Sequence, residues 1–163
     1  MRIIGGIAKG KNLFSPPETT RPTSDRAREG LFSSLESEFG SMTELNFLDL
    51  YSGSGAVGVE ALSRGASKVV SVERHQPTAL IGEKNFELVK GAEGYFEVVV
   101  SDVKKYLGNP SNMQFDIIFI DPPYDLPNNE IEKLLRNIIN NNFLNENGII
   151  AVERESRSKE FIW

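Results

Sequence analysis

Four consecutive residues, Asp121-Pro122-Pro123-Tyr124, set an acid and an aromatic ring on either side of two residues that donate no backbone hydrogen bond. They follow the apolar run Phe115 to Ile120, so a strand of core character ends in a backbone held far more tightly than a turn requires. An acid, a carbonyl and a flat ring in fixed relation suit an exocyclic amine on a heterocycle. Such a nitrogen is a poor nucleophile because its lone pair is delocalised into the ring. Hydrogen bonds from its N–H groups to Asp121 and to the Pro122 carbonyl would localise that pair. Tyr124 would stack on the flipped-out ring, making catalysis a matter of positioning and electrostatics. The plainer alternative is a rigid turn at a strand end.

A second constellation runs Phe47-Leu48-Asp49-Leu50-Tyr51-Ser52-Gly53-Ser54-Gly55-Ala56-Val57-Gly58. Gly53, Gly55 and Gly58 satisfy G-x-G-x-x-G between a strand and a helix, where the backbone approaches a ligand at a helix N-terminus. Alone, the pattern also fits a nicotinamide-dependent oxidoreductase. Asp49, on the strand four residues before Gly53, shifts the balance, because a carboxylate there suits a cationic ligand group and not a pyrophosphate. S-adenosylmethionine carries an ammonium and a sulfonium and no phosphate. With Ser52, Gly53 and Gly55 as the loop, Glu73 at the end of the second strand can accept from both ribose hydroxyls, and Asp102 after the third can meet the adenine amine. Asp121 completes the set. Each acid has a structural alternative: Asp49 as a turn cap, Asp102 as the N-cap of a short helix Val103 to Leu107, Glu73 as an exposed strand end. Acids at the ends of successive parallel strands nevertheless mark the edge where such sheets bind ligands. His75, the only histidine, reads as a surface residue near the cofactor rim.

These residues need a scaffold that brings strand ends together. From residue 46 onward, β-branched or aromatic runs alternate with helical periodicity, the pattern of βαβ units. Strands are predicted at Phe47 to Tyr51, Lys68 to Glu73, Tyr95 to Val100, Phe115 to Ile120 and Gly148 to Glu153, and helices at Ala56 to Arg64, Pro77 to Lys90 and Asn129 to Asn141. Ile131, Leu134, Leu135 and Ile138 recur at helical spacing in the last helix, and Asn140-Asn141-Asn142 marks its end. Ser24 to Phe39 reads as a helix with a buried stripe of Ala27, Leu31, Leu35 and Phe39. Residues 1 to 14, with Gly5-Gly6 and Gly10 among isoleucines, suggest a small hairpin or arm. The expected architecture is α/β and Rossmann-like, a mostly parallel central sheet with helices on both faces and a small N-terminal arm.

The length of 163 residues suits one domain, with residues 1–23 as a basic arm and 24–163 as the cofactor-binding core. At 39% hydrophobic and 25% charged, with no apolar run approaching a bilayer span, the chain reads as a cytoplasmic protein. It has no cysteine, so disulfides and thiolate metal sites are excluded, and no metal is assigned. The net charge of −5 hides an asymmetry: residues 1–30 carry six basic and three acidic side chains, a surplus of three, so the remainder carries −8. A basic face, if present, is N-terminal.

At Asp121-Pro122-Pro123-Tyr124 the sequence resembles the amino-methyltransferases with a (D/N)-P-P-(Y/F) motif. The resemblance sharpens over Met1-Arg2-Ile3-Ile4-Gly5-Gly6 with Gly10-Lys11, over Thr20-Arg21-Pro22-Thr23-Ser24-Asp25-Arg26-Ala27-Arg28-Glu29-Gly30-Leu31-Phe32, and from Phe47 through Ala66. These segments look like the RsmD family, bacterial methyltransferases that act on guanine N2 in 16S ribosomal RNA. The likeness runs from residue 1 to about 153. It implies S-adenosylmethionine as cofactor and 16S rRNA in the small subunit or an assembly intermediate as partner; nothing in the sequence suggests an obligate oligomer, so a monomer is expected. The likeness also implies that Asp121, Pro122 and Tyr124 are catalytic and that Arg2, Lys9, Lys11, Arg21, Arg26 and Arg28 contact RNA, with Thr23 framing the site near the methionine end of the cofactor. Family members continue past the fifth strand with a closing pair of strands and an R-x-Y-G-like segment, whereas this chain ends Lys159-Glu160-Phe161-Ile162-Trp163. A shortened tail would leave the sheet an unpaired edge. A DNA adenine or cytosine amino-methyltransferase shares the tetrapeptide, but the length leaves no room for a recognition domain.

Overall fold

The computed structural model describes residues 1–16 and 24–154. Runs that are apolar on both faces can be buried only inside a sheet covered by helices on both sides, and β1 (Asn46–Leu50) and β4 (Phe115–Ile120) lie there, almost wholly buried. Outward from them lie β2 (Lys68–Glu73) and the edge strand β3 (Tyr95–Val100) on one side, and β5 (Leu144–Val152) on the other. The order is β3-β2-β1-β4-β5, with every pairing parallel. One face carries α1 (Asp25–Phe39), α2 (Ala56–Ser63), α3 (Gln76–Glu87) and the N-terminal arm; the other carries α4 (Val103–Leu107) and α5 (Asn128–Asn140). The expected Rossmann-like architecture is present. Among the described residues no helix is long and apolar enough to cross a membrane.

Local chemistry explains most boundaries. Ser24 caps α1, its Oγ accepting from the Ala27 N–H at 3.0 Å. Ile131, Leu134, Leu135 and Ile138 of α5 are buried as their spacing predicts. β1 stops one residue early, because Tyr51 turns out of the strand with φ of 60°. β5 starts earlier than predicted: Leu144 pairs with Phe115, the register then shifts, and Ile149 pairs with Ile117. α2 lies close on β2 through Gly58, where an added Cβ would stand 2.9 Å from Ser71 Oγ and 3.0 Å from the Phe86 ring.

Two expectations at the N-terminal end need correction. The buried residues of α1 are Arg28, Phe32 and Leu35, while Ala27 is exposed, so the stripe is rotated from the one read off the apolar residues. The cause is a charge that the fold buries deliberately. Glu60 of α2 has no exposed surface; its Oε1 accepts from Arg28 Nη1 at 3.2 Å and Ile4 N–H at 2.9 Å, and its Oε2 from Arg64 Nε at 2.8 Å and Gly5 N–H at 2.8 Å. Arg28 also bonds Asp25 and the Arg2 carbonyl, and Arg64 reaches Glu36. Arg28 is thus a core residue and is removed from the RNA-contacting set. The arm is a minimal hairpin, with an antiparallel bridge between Arg2 and Asn12. It seats on α2, where Ile7 N–H donates to the Ser63 carbonyl at 2.8 Å.

Removing one partner of a buried pair leaves charge without compensation. Glu60→Ala should therefore lower unfolding free energy by about 3–5 kcal/mol, read by urea denaturation. A loss below about 1 kcal/mol, the range of a surface pair, would contradict the role assigned to Glu60.

Candidate active site

In a sheet of this order the chain reverses direction between β1 and β4, and a crevice opens at the C-terminal ends of those strands. A cleft of about 1400 Å³ lies there, and Asp49, Ser52, Gly53, Glu73, Asp102 and Asp121 all line it. Pro122, Pro123 and Tyr124 line it as well. The glycine bend and the proline corner face one space because their strands are hydrogen-bonded neighbours: Leu50 pairs with Ile120, and Asp121 N–H points to the Leu50 carbonyl at 3.5 Å.

The acids have distinct environments. Asp49 is 2% exposed, and its Oδ2 accepts from the Gly58 N–H at 3.0 Å in the first turn of α2. Burial pushes its carboxyl up to about 8 against that hydrogen bond, and the charges of Asp121 and Glu73 push the same way. Glu73 binds the glycine loop itself, Oε1 accepting from Gly53 N–H at 2.9 Å and Oε2 from His75 N–H at 2.8 Å. A carboxylate has about four acceptor sites, so a ribose diol can share it with the backbone. Asp102 combines two of the readings made of it: Oδ1 caps α4 through Lys104 N–H at 2.8 Å, and the residue lines the cleft.

Gly55 does not line the cleft. It takes φ of 83° at the N-cap of α2, and a Cβ there would point toward Gly82 and Phe86 of α3 at 3.5 Å. Its contribution is to close the bend and let α2 and α3 approach, so a bulky residue there would act through packing. The proline corner is tied at its far end. Leu126 N–H turns back to the Pro123 carbonyl at 3.0 Å, and Arg154 Nη2 reaches the Leu126 carbonyl at 2.9 Å and Asn128 Oδ1 at 3.2 Å. Pro122 is buried, and Tyr124 stands 71% exposed.

Of the basic residues, Arg2, Lys9, Lys11 and Arg26 are exposed, and Lys11 Nζ donates to the Leu88 carbonyl at 2.7 Å. Arg21 and Thr23 lie outside the described residues. His75 is exposed beside the cleft, its Nδ1 2.7 Å from Thr78 Oγ1. The sequence reading missed Tyr51, whose hydroxyl is pushed up to about 12, first by burial and then by Asp102 and Glu130. It also missed Ser15 and Pro16, which wall the cleft, and Arg154. For Ser15, Pro16 and Arg154 only the three-dimensional fold supplies the signal.

Glu73 and Asp121, flanking an Asp49 carboxyl that burial above all raises, fit a cationic ligand and oppose a phosphate-bearing one. Fold and cleft together define an S-adenosylmethionine-dependent methyltransferase. The chain belongs to the RsmD family, whose description, conserved hypothetical protein 95, matches residues 1–162. Ribosomal RNA small subunit methyltransferase D of Haemophilus influenzae is 36% identical over 157 residues, covering 95% of this chain and 79% of that protein. The solved structure of yhhF from Escherichia coli matches with a TM-score of 0.81 at 33% identity, over 96% of this chain and 82% of that one. SMU.776, a methyltransferase solved in complex with SAH, matches with a TM-score of 0.63 at 25% identity, over 80% of this chain and 35% of that one.

The state of Asp49 gives a pH dependence. Its carboxyl lies at about 8 in the fold against 3.8 as the ordinary value, so the folded protein holds a proton that the unfolded chain releases. That contribution is complete below 3.8 and is lost as pH rises through about 8. Asp49→Asn, which keeps an oxygen for the Gly58 N–H, should flatten this decline and exceed the parent in stability above pH 8, read by urea unfolding across that range. Parallel pH profiles for the two proteins would show that Asp49 is ionised throughout.

Proposed function

We propose that this chain transfers a methyl group from S-adenosylmethionine to the exocyclic N2 of a guanosine in small-subunit ribosomal RNA. One observation carries the reading: the Asp121-Pro122-Pro123-Tyr124 corner and the Gly53 bend line one cleft, joined across β1 and β4 by the Asp121 to Leu50 backbone contact of 3.5 Å. A nicotinamide dinucleotide would bring its pyrophosphate beside Glu73 and Asp121, where like charges repel.

S-adenosylmethionine, when bound, supplies an electrophilic methyl on its sulfonium. The chain's own residues do the rest. Asp121 and the Pro122 carbonyl accept the two N–H groups of the guanine amine and turn its lone pair toward the methyl. The bound donor would exchange its methyl–sulfur bond for one to nitrogen, and the nitrogen would then lose its extra proton to water, so no side chain must act as a strong base. Tyr124, largely solvent-facing here, offers a ring on which the extruded base stacks. Arg2, Lys9, Lys11 and Arg26 present exposed positive charge on the arm and α1, suited to RNA phosphates.

Incubation with labelled methyl donor and small-subunit particles or their RNA, followed by nucleoside analysis, should recover N2-methylguanosine. Asp121→Ala should leave cofactor affinity within about threefold while lowering transfer by 10² or more, the scale of losing one oriented oxygen partner. Full activity in that variant would take Asp121 out of the reaction. Arg26→Glu should weaken RNA binding and flatten the slope of log affinity against log salt by about one. An unchanged slope would move the RNA surface away from α1.

A further inference from the structure

Asn85 of α3 has no exposed surface and shares the helix's buried face with Ala79, Gly82 and Phe86. Burying a carboxamide in a helix is unfavourable unless its donors and acceptor find partners. Here they do. Oδ1 accepts from the Phe14 N–H at 2.8 Å, and Nδ2 donates to the Phe14 carbonyl at 3.0 Å and to the Ser54 carbonyl at 2.8 Å. One side chain thus closes a β-like ring with a single residue of the arm and spends its other proton on the glycine bend. The next two residues, Ser15 and Pro16, line the cleft. α3 packs against the same bend, where a Cβ on Gly82 would stand in ordinary contact with the Ser54 carbonyl at 3.7 Å and that of Gly53 at 3.8 Å.

We propose that Asn85 is a positioning residue that makes Phe14 to Pro16 a wall of the cofactor site, so that docking of the arm and binding of the cofactor are coupled. The proposal rests on the cofactor reading of the cleft and not on the identity of the RNA. When the arm is docked, Asn85 holds the Ser54 carbonyl and the wall is complete. When the arm leaves, the carboxamide loses two of its three partners inside the core, and the bend loses both the wall and a fully oriented tether. By reciprocity, a ligand that prefers the complete site must tighten the arm by the factor that the arm tightens the ligand.

The test uses S-adenosylhomocysteine as probe, with calorimetry for affinity and amide exchange at Leu13 and Phe14 for the arm. Asn85→Asp keeps the shape and the acceptor for Phe14 N–H but sets a carboxylate oxygen against two carbonyls. It should weaken binding about tenfold or more, a usual scale of coupling between sites, and abolish the ligand-induced slowing of exchange seen in the parent. Ser63→Ala is the comparison: it loosens the arm elsewhere, where Ser63 Oγ accepts from Ala8 N–H at 3.0 Å and donates to the Gly5 carbonyl at 2.7 Å. If exchange at Phe14 stays as in the parent it should keep the parent's affinity, and if that exchange speeds up binding should weaken in step. Unchanged affinity in Asn85→Asp overturns the proposal, as does a loss in Ser63→Ala without faster exchange at Phe14. If Asn85→Asp does not fold, Phe14→Pro decides, because it removes the N–H given to Asn85 while sparing the Asn85–Ser54 bond; weaker binding supports the coupling and unchanged binding refutes it. A parent that binds no S-adenosylhomocysteine overturns the cofactor reading itself. A parent that binds it without slowing exchange overturns the coupling alone.

Discussion

A buried carboxylate, that of Glu60, ties three separate pieces of the chain to one point. Its partners come from α1 through Arg28, from the C-cap of its own helix through Arg64, and from the arm through the backbone of Ile4 and Gly5. Buried ion pairs are poor sources of net stability because desolvation offsets their attraction, but breaking one is costly. Their effect is therefore geometric. Once Glu60 is satisfied, the arm and α1 can sit only one way on α2, and the two described ends at Pro16 and Ser24 are held on the side of the sheet that carries α2 and α3.

The cofactor end of the cleft is governed by a different electrostatic logic. Asp49 and Glu73 both give a carboxylate oxygen to backbone N–H groups of the bend or of the helix after it, so the acids that face the cleft also shape the loop. Glu73 and Asp121 flank an innermost acid, Asp49, that burial lifts toward neutrality. A cationic ligand lowers the energy of the whole group at once, while a phosphate raises it. The same charges that exclude a dinucleotide hold the bend in the shape that the glycines allow.

Much of this was legible in the sequence, and the failures have physical causes. Strands 68–73, 95–100 and 115–120 were read without error because each is rich in β-branched or aromatic residues, whether buried as at 115–120 or on the edge as at 95–100. The acids of the cleft could be found because parallel topology puts the ends of successive strands on one edge. Arg28 was misplaced because charge in a basic, arginine-rich stretch suggests solvent, and only the contact with Glu60, 32 residues away, reveals a core residue. Gly55 was assigned to the ligand because the motif does not say which way a missing Cβ would point. Asn85 left one trace, a polar residue on the buried face of α3, but its partners Phe14 and Ser54 lie 71 and 31 residues distant.

The two halves of the cleft achieve rigidity by opposite means, and the difference follows from what each must hold. The cofactor half is fixed by hydrogen bonds to backbone N–H groups, which a glycine-rich bend leaves available. The corner at Asp121 has prolines where such donors would be, so its stiffness comes from fixed torsions at Pro122, Pro123 and Pro127 and from one outside tether, Arg154, on the Leu126 carbonyl and Asn128. Misplacement of reacting atoms by about 1 Å can cost 10²-fold in rate, so a transfer that depends on alignment and not on a strong base gains most from a corner that cannot relax. The edge position of β5 then matters for chemistry as well as for stability, since Glu153 N–H bonds the Ile120 carbonyl at 2.8 Å and the next residue is Arg154. Displacement of that strand end would loosen the corner without touching a reacting group.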